Sequence, residues 1–155
     1  MDTASVLREM MADGKAAKFD EMKNHLGGSD ARIRQTLTKL GALSSLNCNN
    51  RYYILPEECE FDELGLCRVK DSVFHRKRTL LPTIAALVEA SEAGMMAVEL
   101  SELMGTQVGT KMAKAFKDGL VSREVINTPK GKRGVLPYRF FSVNEPRRQL
   151  QIEAR

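Results

Sequence analysis

Arg32, Arg34, Gln35, Thr38 and Lys39 lie close together in the segment ARIRQTLTKL, and no acidic residue stands among them. Their chemistry suits the reading of nucleic-acid edges. Arginine can bridge guanine O6 and N7, glutamine can pair with adenine N6 and N7, and threonine or lysine can take phosphates or base edges. A second set, Gln107, Thr110, Lys111 and Lys114, continues to Lys117 before the first acid, Asp118. The third set is Lys130, Lys132 and Arg133 within NTPKGKRGVLPYRFF. There Gly131 and Gly134 permit a sharp reversal, Pro129 and Pro137 stiffen its base, and the cations suit phosphates or a narrow minor groove. Arg51, alone in CNNRYY, is a smaller version of the same feature.

Such side chains act only if a scaffold turns them the same way. Val6, Leu7, Met10 and Met11 at helical spacing predict a first helix stopped by Asp13-Gly14. Phe19, Met22 and Leu26 predict a second, ended by Gly27-Gly28. Ser29 or Asp30 caps a third helix to Leu40, with Ile33, Leu37 and Leu40 inward and the first cationic set outward. SSLNC and RYYILP then read as strands joined by Asn49 and Asn50, which tolerate positive φ.

The same order returns in the second half. A long helix from Leu80 to Ala93 buries Leu81, Ile84, Leu87 and Val88, and MMAVELSELMG supplies a short strand or turn and a second helix. A third helix, Thr106 to Lys117, buries Val108, Met112, Ala115 and Phe116, and the strands SREVIN and PYRFFSV flank the cationic loop. Between the halves, residues 57–78 carry six acids and five bases and end in the cluster His75 to Arg78. This stretch reads as a connector whose LGLCRV core forms a short strand or helix docked on one domain. Residues 145–155 read as a polar, helical tail.

Composition narrows the function classes. The 155 residues hold 24 Lys+Arg against 20 Asp+Glu, a net charge of +4 that leans toward a polyanionic partner. Glu9, Asp13, Asp20, Glu21, Glu89, Glu92, Glu99 and Glu102 fall on the first two helices of each half, which segregates positive charge onto the third helices and the loops. A solvated outer face is the plainer reading of such cations, and this segregation argues for binding instead. No apolar run approaches the ~20 residues that cross a bilayer, so no membrane partner is expected. Three cysteines and the lack of a leader-like N-terminus predict a cytoplasmic protein without a disulfide framework. Cys48, Cys59, Cys67 and His75 are separated by 11, 8 and 8 residues with no C-x-x-C pair, which does not form a zinc knuckle. With no hydrolase, P-loop or dinucleotide motif, the chain reads as a non-enzyme that needs no cofactor or metal. His25 suits a helix C-terminus, and the clustered methionines suit a core.

The third-helix endings TKLGAL and FKDGLVSR, each followed by a hairpin, make both halves similar to the winged-helix variant of the helix-turn-helix proteins. The resemblance covers residues 3–56 and 79–144 and implies a mainly α fold with small β-hairpins (α+β), in two tandem winged-helix domains. These would be residues 1–56 and 79–144, with 57–78 as connector and 145–155 as tail. It further implies that each third helix enters a major groove while the hairpin touches the backbone. The expected function is sequence-specific binding of double-stranded DNA, as a transcription regulator or DNA-transaction accessory factor. A winged-helix protein-interaction module in a multi-subunit assembly, contacting another protein or a second copy, is the alternative.

Overall fold

The computed structural model describes residues 2–125 and 138–154. It is a mixed α+β protein, about 52% helical and 18% strand, with small antiparallel sheets. Two compact units divide the chain, Met1–Thr79 and Leu80–Arg155.

In the first unit, α1 (Thr3–Met10) begins where the Asp2 carboxylate accepts from the Ser5 amide at 2.7 Å, satisfying one of the donors a helix start leaves open. That hydrogen bond holds the Asp2 carboxyl below the usual carboxylate value. Asp13 and Gly14, both at positive φ, turn the chain into β1 (Ala17–Lys18) and α2 (Phe19–Leu26). Ser29 then caps α3 (Asp30–Lys39), accepting from the Arg32 amide at 3.2 Å. Leu7, Met11, Phe19, Met22, Ile33 and Leu37 pack into one core beneath these helices. Each contributes about 1.5–3 kcal/mol by leaving water, so together they fix α3 with its opposite face outward.

β2 (Leu43–Ser44) and β3 (Tyr52–Ile54) complete an antiparallel sheet in the order β1-β3-β2, with Ser44 opposite Tyr53. The first strand is shorter than SSLNC predicts. Past Ser45, whose amide still donates to Tyr52 O at 2.8 Å, the chain leaves β3: the Leu46 amide donates to Val73 O at 2.8 Å, while the Asn47 side chain donates to Asp71 O and accepts from the Val73 amide. Cys48, Asn49 and Asn50 follow in a tight turn, all three at positive φ.

Those hydrogen bonds lead to residues 57–78, which form a hairpin of the first unit in place of a connector. β4 (Leu66–Val69) pairs with β5 (Ser72–His75), and Cys67 and Phe74 join Leu43 and Ile54 in a second small core. The first unit therefore runs to Thr79 and not to residue 56.

The second unit repeats the order with α4 (Leu80–Ala90), β6 (Met95–Met96), α5 (Ala97–Met104), α6 (Gly109–Lys117), β7 (Ser122–Val125) and β8 (Tyr138–Phe141). Its sheet has the order β6-β8-β7, so the last strand is central, as β3 is in the first unit. Gly94 is required where it stands: a Cβ there would lie 2.7 Å from Phe140 O. Two expectations for the third helix need correcting. It begins at Gly109 and not at Thr106, since Val108 is fully buried and its amide donates to Ser101 Oγ at 3.1 Å before the helix starts. Phe116 is 39% exposed, outside a core that Met112 and Ala115 fill.

The last ten described residues form α7 (Glu145–Ala154), which does more than trail off. Gln151 is fully buried, donating to Val88 O at 2.7 Å and Ser91 O at 2.9 Å and accepting from the Ser142 amide at 2.8 Å. Arg147 Nε donates to Glu89 O at 2.9 Å. These bonds satisfy the carbonyls of Glu89 and Ser91 at the end of α4 and add a donor to Val88 O, which Ser91 Oγ already meets at 2.6 Å. Among the described residues no helix is long and apolar enough to cross a membrane.

Candidate functional site

On α3 the burial of Ile33 and Leu37 turns Arg32, Arg34, Gln35, Thr38 and Lys39 to solvent, and all five are exposed. The Arg34 guanidinium lies over the Phe19 ring, 4.4 Å from its centre, and Nη1 donates to Tyr53 Oη at 3.3 Å. Phe19 opens α2 and Tyr53 sits in the central strand, so this one arginine ties the three elements together. Stacking fixes the plane of the guanidinium and leaves its remaining N–H groups able to donate. Thr38 Oγ1 donates to Arg34 O at 2.9 Å, so the hydroxyl proton is engaged and the oxygen can still accept.

Arg51 follows the turn at Asn49 and Asn50 and shares with Arg34, Lys23, Asp20 and Asp30 the lining of a cleft of about 330 Å³. Carboxylates enter this cleft, so it is not purely basic. Lys23 Nζ pairs with Asp30 Oδ1 at 3.0 Å. Among the described residues, Arg32, Arg34, Lys39 and Arg51 have no carboxylate at ion-pair distance.

In the second unit Thr110, Lys111 and Lys114 are exposed on α6. Lys111 has no such partner among the described residues, whereas Lys114 Nζ meets Asp118 Oδ2 at 3.3 Å. Both members of that pair are exposed, which makes it worth about 0–1 kcal/mol and easily exchanged for a phosphate. Gln107 is exposed but precedes α6; it lines a concavity of about 690 Å³ with Val98, Ser101, Glu102 and Thr106. The arrangement thus separates Gln107 from the helical set it was expected to join. Lys130, Lys132 and Arg133 lie outside the described residues.

Two groupings lie outside the expected site residues. The Arg123 guanidinium carbon is 4.0 Å from the ring centres of both Phe116 and Tyr138, clamping α6 to the two strands β7 and β8. Nothing local marks it, because Tyr138 stands across the sheet. The other is Arg76, Lys77 and Arg78, three consecutive exposed cations just past β5. Their signal was visible as HRKR, but it was absorbed into the connector.

His75 and Cys59 are poorly placed for reactivity. Both ring nitrogens of buried His75 are engaged, Nε2 with Leu64 O at 2.7 Å and Nδ1 with the Lys77 amide at 2.9 Å. Its pKa is lowered, first by burial and further by Arg76 and Lys77. Burial and the neighbouring Cys67 push the Cys59 thiol up to about 12, far from a thiolate at neutral pH. Among the described residues no group of three or more His, Cys, Asp or Glu is placed to hold a metal ion.

No protein-family model, curated protein or solved structure matches the chain.

Proposed function

We propose that the chain binds double-stranded DNA in a sequence-specific way through two tandem winged-helix units, as a transcription regulator or DNA-transaction accessory factor. What carries this reading is the outer face of α3, where five exposed donors and acceptors stand free of carboxylate partners among the described residues. The repeated order of helix, strand, two helices and two strands supports it, although architecture alone does not fix function.

In this reading α3 lies in a major groove. Arg32 and Arg34 donate to guanine edges, Gln35 pairs with adenine, and Thr38 and Lys39 meet bases or phosphates. The stacked plane of Arg34 restricts which base edge it can address. Arg51, Lys111 and Lys114 neutralise phosphates, with Thr110 beside them, Gln107 contributes from the turn before α6, and Lys130, Lys132 and Arg133 extend the backbone contact.

The second unit also favours another reading. Val98, Val125, Val143 and Leu150 are exposed there, while the first unit exposes among its large hydrophobics only Leu64 in the described residues. Such residues suit a protein partner, with the chain serving as an interaction module in a multi-subunit assembly instead of binding DNA. Fluorescence anisotropy of a labelled duplex against salt separates the two. DNA binding predicts that log affinity falls with log salt at a slope of about −0.9 per phosphate contact. A flat response would discard the DNA reading and leave the protein partner.

A further inference from the structure

Three cations follow one another at the end of the β4–β5 hairpin, and their surroundings are built more firmly than solubility requires. The Arg76 guanidinium carbon sits 5.2 Å from the centre of the Phe61 ring. Its amide donates to Gly65 O at 3.1 Å, and Gly65, at φ +81, has no room for a side chain. A Cβ there would stand 2.8 Å from His75 Nε2 and 3.1 Å from Arg76 Nε. The Lys77 amide donates to His75 Nδ1 at 2.9 Å, and the Arg78 amide to His75 O at 2.9 Å. Arg78 itself is held at φ 73, a conformation that costs a non-glycine residue energy. Its Nη1 then donates to Gly41 O at 3.0 Å, two residues past the end of α3.

We infer that Arg76, Lys77 and Arg78 form a phosphate-binding platform that grips the duplex backbone next to the segment α3 reads. The inference rests on the DNA reading proposed above and adds a third contact element to the first unit. Stacking on Phe61 orients the Arg76 fork while its outer N–H groups remain to donate, which suits the bidentate geometry of a phosphate. Lys77 contributes a point charge on a backbone pinned by the buried imidazole. Arg78 has one N–H on Gly41 and more to offer, so it links the platform to the C-terminal end of α3. Asp62, whose charge acts on His75, accepts on Oδ1 from the amides of Leu64 and Leu66, both at 2.9 Å. Among the described residues none of the three cations has a carboxylate at ion-pair distance.

Phosphate contacts position a protein and carry no sequence information, so the platform affects affinity and leaves preference alone. The test uses the full chain and a labelled random-sequence duplex, with affinity measured across a salt series for wild type, Lys77→Glu and the double variant Arg76→Ala with Lys77→Ala. Each lost contact flattens the slope by about 0.9, so the double variant flattens it by about 1.8. Lys77→Glu flattens it by at least one contact with an unchanged unfolding midpoint, and it decides the matter if the double variant folds poorly. A steep wild-type slope that neither variant alters overturns the platform alone. A wild type with no salt dependence overturns the DNA reading and the platform together.

Discussion

The guanidinium of Arg34 lies flat against Phe19, 4.4 Å from the ring centre, so the central arginine of α3 is anchored to the first residue of α2. The second unit has a counterpart built from different positions, with Arg123 between Phe116 and Tyr138 at 4.0 Å from each. In both, a planar cation on aromatic carbon links the third helix to neighbouring elements of its unit. A lysine keeps the charge and loses the plane.

Arg34→Lys should therefore lose base preference at the position Arg34 is proposed to read, by about 1–3 kcal/mol, with a smaller loss of affinity for unrelated duplex. Paired titrations of a selected site and its scrambled version measure this. Equal weakening of both would make Arg34 a backbone contact, and unchanged binding would make it a structural staple.

The Lys114–Asp118 pair holds a carboxylate beside a cation proposed to meet phosphate. Asp118→Asn removes the competing charge, so affinity for duplex rises and the salt slope steepens by about 0.9. Stability changes by about 1 kcal/mol at most, because the pair is exposed. A loss of affinity in this variant removes Lys114 from the interface.

Gln151 shows how much the second unit leans on α7. Gln151→Ala leaves the buried Ser142 amide without its partner and takes one donor from the carbonyls of Val88 and Ser91, which keep Ser91 Oγ and Arg147, and urea unfolding should show the second unit weakened by about 1–3 kcal/mol. Gln149→Ala, two residues away, removes only an exposed bond to Glu153 and stays within about 0.5 kcal/mol. Equal effects of the two variants would mean that α7 is dispensable.

His75 gives the first unit a pH dependence of fixed sign. Its folded pKa lies below the usual 6.5, through burial first, with Arg76 and Lys77 adding to the effect and the Leu64 carbonyl and Asp62 opposing it. The unfolded chain thus binds the proton more readily, and stability rises with pH. The contribution is complete above 6.5 and is lost as pH falls from there through the folded pKa. Thermal midpoints of wild type should decline across this window, and His75→Gln, less stable throughout, should show a shallower decline. A midpoint that rises on acidification contradicts the neutral imidazole.

α3 was legible because Ile33, Leu37 and Leu40, all local to the helix, decide which way it faces, and the capping Ser29 stands in sequence beside it. Local pattern failed where distant residues decide. Thr106 and Gln107 continue a helical pattern, yet Val108 is drawn into the core and Ser101 takes its amide. Residues 57–78 look like a charged linker because their alternation is hidden: all four residues of β5 are buried, covered on both faces. The placement of Arg78 depends on Gly41, 37 residues before it, and the anchoring of Arg34 on Tyr53, 19 residues after it. Such separations leave no periodic trace.

Selection of duplexes from a random pool by the full chain, followed by titration of the winning and a scrambled sequence across a salt series, tests the central proposal most directly. The account predicts a recurring motif, tighter binding of that motif than of its scramble, and a log–log salt slope of several times −0.9 for both. A pool that emerges unenriched, with binding indifferent to salt, would contradict it.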